Sequence, residues 1–343
     1  MPVAELAAPR RLLAGGGPST PDDRVLRALT TPLIGQFDPC FTSIMDEVMQ
    51  LARRALRTRN ARCFAISALA SAGPEALINT LVQEGDQVDV LGSTHLADTV
   101  RRYGGVVVSP APVTIAVCAG EADLAELAAD CHARGGVLVV DATATLGGLE
   151  FQADTWGIDA VVAGVDGCLG AVSGMTLVSY GEAVERRMRA RAAPPRTSYL
   201  DLLQLQAYWS PERLNHHTAP TSLVYALREA LRLLDDEGLA AVEARHARVS
   251  AALGAGLRAL GLEARRQSLV WTVAVADAAG LQRRLLEEYG VWVRRGAAET
   301  LTVGLVGADA RLENALRVLA AFEQLYEGRG GAREAALQAF AAA

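Results

Sequence analysis

No lysine occurs among the 343 residues, so all 33 basic side chains are arginine. That absence excludes every reaction needing a lysine amine: a Schiff base to pyridoxal phosphate, a Schiff-base aldolase, or a P-loop. A chain so rich in Ala, Arg, Gly and Leu sheds surface lysines by drift, but a mechanism that needs one keeps it. No apolar run approaches the roughly 20 residues that span a bilayer. The opening stretch MPVAELAAPRRLLAGGG lacks a basic segment ahead of an apolar core, so no secretory signal is expected. Five cysteines (Cys40, Cys63, Cys118, Cys131, Cys168) make no C-x-x-C pair, which predicts reduced thiols and a cytoplasmic location. The five histidines show no metal-ligand spacing, so no metal is expected. A net charge of -6 leaves no basic face for nucleic acid.

What is present is a folded, 51% apolar chain whose hydrophobic period switches repeatedly between strand and helix. After a glycine-rich arm, Asp38 to Arg57 reads as an amphipathic helix. Short apolar strands follow near residues 62–67, 87–91, 106–109, 113–118, 137–141, 159–163 and 175–179, with helices between them. Such alternation predicts an α/β domain with a mainly parallel seven-stranded sheet, whose ligands gather at the carboxyl ends of the strands. The breaker Ala192-Ala193-Pro194-Pro195 precedes three helical stretches, and the remainder to Glu327 reads as a smaller α+β domain. The expected divisions are an arm over 1–35, a large domain over 36–237, a small domain over 238–328 and a tail over 329–343. The tail shows no pattern that predicts a core contribution.

Several blocks carry a resemblance. They include Leu13-Ala14-Gly15-Gly16-Gly17-Pro18-Ser19, Val139-Val140-Asp141-Ala142, Leu146-Gly147-Gly148 and Trp156-Gly157-Ile158-Asp159-Ala160. Later come Cys168-Leu169-Gly170, His216-His217-Thr218-Ala219-Pro220 and Gly304-Leu305-Val306-Gly307. In this order the chain resembles the class V aminotransferases of pyridoxal-phosphate fold-type I, of the alanine–glyoxylate and serine–pyruvate branch. The resemblance implies that fold, a homodimer, and a cofactor held by several separate devices.

Most of those devices are altered. The resemblance places the lysine that bonds the cofactor at Gly167, and the phosphate-cradling turn at Ser67-Ala68-Leu69-Ala70-Ser71, where apolar side chains replace two glycines and a hydroxyl. The loop that carries a ring-stacking aromatic holds only Leu91, Gly92, Ser93 and Thr94. The Tyr-His-His-Thr run sent to a neighbouring subunit's phosphate reads Asn215-His216-His217-Thr218, and the carboxylate-gripping arginine is Thr302. The acid that faces the pyridine nitrogen is kept, as Asp141. Counted together, these losses predict that pyridoxal phosphate does not bind and that no cofactor is used.

The function expected on that count is a cofactor-independent enzyme doing acid–base chemistry (condensation, cyclisation, dehydration or isomerisation) on a small amine- or carboxylate-bearing metabolite. A catalytically silent subunit that stabilises an active partner is the alternative. Asp141, at the end of a buried strand, suits a general acid or base, and His95 suits a proton shuttle. Asp166 and His217 complete the catalytic candidates, and Ser19, Thr143, Cys168, Asn215, His216 and Thr218 are expected to bind substrate. Each has a plain alternative: Asp141 a turn-capping relic, His95 an exposed loop histidine, Asp166 an exposed turn residue, the histidine pair interface residues. His132 and His246 read as surface residues, and Arg294 or Arg295 as substitutes for the absent arginine.

Overall fold

In this computed structural model residues 5–118, 123–326 and 330–343 are described. The chain begins with strand β1 (Leu12–Leu13), helices α1 (Asp23–Ala28) and α2 (Pro39–Leu56), then β2 (Arg62–Ile66), α3 (Ala72–Leu81), β3 (Gln87–Leu91) and α4 (Thr94–Arg102). Next are β4 (Val106–Val107), β5 (Val113–Val117), α5 (Leu124–Ala133), β6 (Val137–Asp141), β7 (Ala160–Gly164) and β8 (Thr176–Tyr180). Helices α6 (Glu182–Arg189), α7 (Leu202–Trp209), α8 (Thr221–Glu237) and α9 (Leu239–Ala259) lead to β9 (Ala264–Gln267) and β10 (Val270–Ala274). The chain ends with α10 (Ala278–Tyr289), β11 (Val291–Trp292), β12 (Arg294–Arg295), β13 (Thr300–Val303), α11 (Leu312–Leu325) and α12 (Ala332–Ala342).

Two compact units result: Pro21–Glu243, and Met1–Thr20 together with Ala244–Ala343. In the first, seven strands form one sheet in the order β2-β8-β7-β6-β5-β3-β4. β3 through β7 are mutually parallel, and β8 is antiparallel to both β7 and β2. β2 therefore points the same way as β7. The strands are continuous apolar runs, as sequences buried on both faces must be. The helices are set by local chemistry. Asp38 accepts a hydrogen bond from the Cys40 amide at 2.8 Å with Pro39 in the first turn, and α2 ends at Arg57 in the left-handed region. Along α2 the residues Phe41, Met45, Val48, Ala52 and Ala55 recur at helical spacing and are buried.

In the second unit β12-β13-β10-β9 make an antiparallel sheet, and β1 pairs with β11. The tail behaves differently from its expected role. Ala332 and Ala336 are fully buried in this unit's core, and the Arg248 guanidinium lies 4.0 Å from the Phe340 ring centroid. An alanine-rich helix carries little hydrophobic signal, yet its small side chains let it pack closely. His246 is also buried rather than surface-exposed, its Nε2 accepting the Gly307 amide at 2.9 Å. Among the described residues no helix is long and apolar enough to cross a membrane.

Candidate functional site

Because β2, β6 and β7 share a direction, Ile66, Asp141 and Gly164 end on one edge of the sheet, where sites form in such folds. Between β2 and β7, β8 starts at that edge, and Thr176 pairs with both Ile66 and Gly164. The Thr176 hydroxyl donates to the Ala68 carbonyl at 3.0 Å, tying the turn after β2 to the sheet. A Cβ at Gly164 would lie 2.8 Å from the Ala70 Cβ and 2.9 Å from the Thr143 methyl carbon, so only glycine fits there. The turn after β2 and the segment after β6 thus converge.

Asp141 is partly buried, and its Oδ1 accepts the Thr143 amide at 3.0 Å. Burial pushes its carboxyl above the usual carboxylate range, with Thr143, through its side chain and then its amide, pulling the other way. The Thr143 hydroxyl oxygen is buried beside that carboxyl. Gly167 opens onto the same segment: a Cβ there would meet nothing nearer than the Thr143 carbonyl at 4.0 Å. Cys168 is buried and its thiol reaches the Ala144 carbonyl at 3.5 Å. Asp166, half-buried, accepts the Ser173 hydroxyl at 2.5 Å.

A second cluster sits on the turn after β2. Ser67 Oγ lies 3.0 Å from His217 Nε2, and His217 Nδ1 lies 2.9 Å from His216 Nδ1. His216 Nε2 reaches the Ser198 carbonyl at 2.8 Å, and the Tyr199 hydroxyl donates to the Ser67 carbonyl at 2.6 Å. Burial, then the neighbouring His216, holds the His217 pKa below the ordinary imidazole value. The Tyr208 ring packs 5.5 Å from that of His217, and its own hydroxyl is buried without a partner. The sequence places Ser67 in the turn after β2 but does not signal its contact with His217, nor Ser198, Tyr199 and Tyr208, because no local pattern links segments this far apart in the chain.

The remaining candidates are dispersed. His95 lies in the first turn of α4, not on a loop, since Ser93 caps the Leu96 amide at 3.2 Å and starts the helix early. It is exposed, and among the described residues no hydrogen bond joins it to Asp141. Asn215 is exposed and accepts Gln36 Nε2 at 2.9 Å, and Thr218 is exposed beside it. Ser19 belongs to the other unit and is buried there, as is Thr302 on β13, whereas Arg294 and Arg295 are exposed on β12.

A family model described as Aminotransferase class-V matches residues 107–317. The (S)-ureidoglycine–glyoxylate transaminase of Bacillus subtilis is 33% identical, over 93% of this chain and 91% of that protein. This chain belongs to the class-V aminotransferase family. The crystal structure of the Bacillus subtilis ureidoglycine–glyoxylate aminotransferase superposes with a TM-score of 0.93, covering 98% of this chain and 100% of that one. The alanine–glyoxylate aminotransferase of Drosophila melanogaster is 32% identical over 92% of each chain. The pyridoxamine–pyruvate transaminase of Mesorhizobium japonicum is 28% identical over 93% of this chain and 91% of that protein.

These findings correct the expected function. Relatives that keep the architecture nearly end to end are named for amino-group transfer, which overturns the cofactor-independent lyase, isomerase or cyclase, the silent-subunit alternative, and the exclusion of a functional aminotransferase. The expectation of no cofactor falls with them, because the family works through pyridoxal phosphate. Altered contacts at separate positions do not remove a fold that is retained nearly end to end. The described residues suit a ring in one respect and not in another. Asp141 and Thr143 supply polar groups at the end of β6, but a chain without lysine has no side-chain amine to bond the ring.

Proposed function

We propose that this protein transfers an amino group between small amine- and oxo-acid-bearing molecules, with the pyridoxamine-type ring entering as a substrate and leaving at each turnover. The retained acid Asp141, partly buried at the carboxyl end of β6 with Thr143 beside it, carries this reading. The ring supplies an electron sink while it is bound. Asp141 faces its nitrogen, holding a proton there that its raised pKa favours. Thr143 would orient the bound ring, and the Cys168 thiol ties the following segment to the Ala144 carbonyl at 3.5 Å. Support comes from the similarity to the pyridoxamine–pyruvate transaminase of Mesorhizobium japonicum and from the lysine-free sequence. Thr218, exposed in one chain, reaches a second copy in a homodimer, and the reduced thiols suit a cytoplasmic setting.

The test is incubation with pyridoxamine and, separately, with pyridoxamine 5'-phosphate, each with glyoxylate or pyruvate, followed by mass spectrometry of the filtrate. Glycine or alanine should form together with an equal amount of the matching free aldehyde, pyridoxal or pyridoxal 5'-phosphate, in excess over enzyme. No amino acid above the protein-free control would refute the reading.

A further inference from the structure

The hydrogen bonds around Ser67 leave one arrangement of protons. The Ser198 carbonyl only accepts, so His216 Nε2 carries a hydrogen. In the neutral ring His216 Nδ1 then holds a lone pair and accepts from His217 Nδ1–H. His217 Nε2 is left as an acceptor, and the one donor facing it is the Ser67 hydroxyl at 3.0 Å. A serine whose proton points at an oriented, neutral imidazole is an activated nucleophile, recognised by geometry rather than by its place in the chain.

We infer that Ser67, His217 and His216 form a nucleophilic relay that accepts an acyl group from a small ester or thioester. This activity is separate from amino transfer and does not rest on it. Ser67 Oγ bonds to the acyl carbonyl carbon while its proton passes to His217 Nε2. The carbon–oxygen or carbon–sulfur bond to the leaving group breaks, and the alcohol or thiol departs with that proton. Water, activated by the same nitrogen, then releases the acid and restores Ser67.

The site's surroundings select an uncharged, apolar acyl group. Leu69, two residues on, is 61% exposed, and Tyr199, 49% exposed, donates its hydroxyl to the Ser67 carbonyl at 2.6 Å with its ring 5.9 Å from that of His217. Because a neutral His216 takes the place of a carboxylate, the imidazolium formed on His217 is less stabilised than in a Ser-His-Asp site. Covalent capture is therefore the sensitive readout, ahead of turnover.

The experiment treats the whole protein with diisopropyl fluorophosphate, and separately with p-nitrophenyl acetate, and follows intact mass and peptide maps. One adduct should form, on Ser67, with the folded protein and not after denaturation. Ser67→Ala should abolish it. His217→Ala should slow it by on the order of a hundredfold or more, and His216→Gln, whose carbonyl oxygen can accept from His217 Nδ1–H, should label faster than His216→Ala. Circular dichroism melting of each variant establishes that it is folded. Labelling at another residue, labelling unaffected by His217→Ala in a folded variant, or no adduct on the folded wild type would each overturn the relay.

Discussion

Replacing Gly167 by lysine puts the placement of the ring to a direct test. A Cβ at this position would sit 4.0 Å from its nearest neighbour, the Thr143 carbonyl, and Gly167 is not in the left-handed region. The substitution should cost no more than about 0.5 kcal/mol, a melting shift below about 2 °C. Gly164→Ala is the contrast. Its Cβ would press to 2.8 Å against Ala70 and 2.9 Å against Thr143, an overpacking cost of about 1–3 kcal/mol. The assay adds pyridoxal 5'-phosphate, reduces with borohydride and maps the label. Since the wild type has no lysine, Gly167→Lys introduces the single side-chain amine, and one ring per chain should appear on the peptide spanning position 167. If Asp141 faces the ring nitrogen, adding Asp141→Asn should weaken loading by about ten- to a hundredfold, the worth of one charge-assisted hydrogen bond. A label confined to the chain's α-amino group, or loading indifferent to Asp141→Asn, would refute the assignment of this edge as the ring site.

Two further outcomes follow from burial and charge. Asp141 has a raised pKa in the folded state, so its protonated form is favoured there and its ionisation destabilises the protein as pH rises above the ordinary value of about 3.9. Asp141→Asn should therefore melt higher than wild type at pH 7, and the difference should close in acid below that value; a lower melting point at pH 7 would contradict it. Glu185 has the opposite sign. Burial pushes its carboxyl up, but bonds from Arg189 at 2.7 Å and from Gln206, with the charge of Arg62 at 2.5 Å, outweigh it and hold the pKa low. Its contribution is present at neutral pH and is lost as pH falls below about 4.3, so Glu185→Gln should lower the melting point at pH 7 and change little in strong acid.

The sequence alone determined what depends on neighbours along the chain. Val137 to Val140 followed by Asp141 reads as a buried strand ending in an acid, and it is one, because a run apolar at every position is stable only inside a sheet. Asp38-Pro39 marks the start of α2, since an aspartate cap and a proline in the first turn satisfy orphan donors locally. The missing lysine is equally a property of the sequence, and it limits how a ring can be held. Tertiary structure decided the rest. Ser67 and His217 are 150 residues apart, and nothing in either segment records that two antiparallel pairings through β8 bring the end of β2 to the edge where β6 and β7 end. His246 lies on a helix dense in charge, yet its ring is buried because one amide, that of Gly307, needs an acceptor. His95 moved from loop to helix through a single cap at Ser93. A hydrogen bond or a steric contact between distant segments leaves no periodicity behind, so such partners become visible only once the chain has folded.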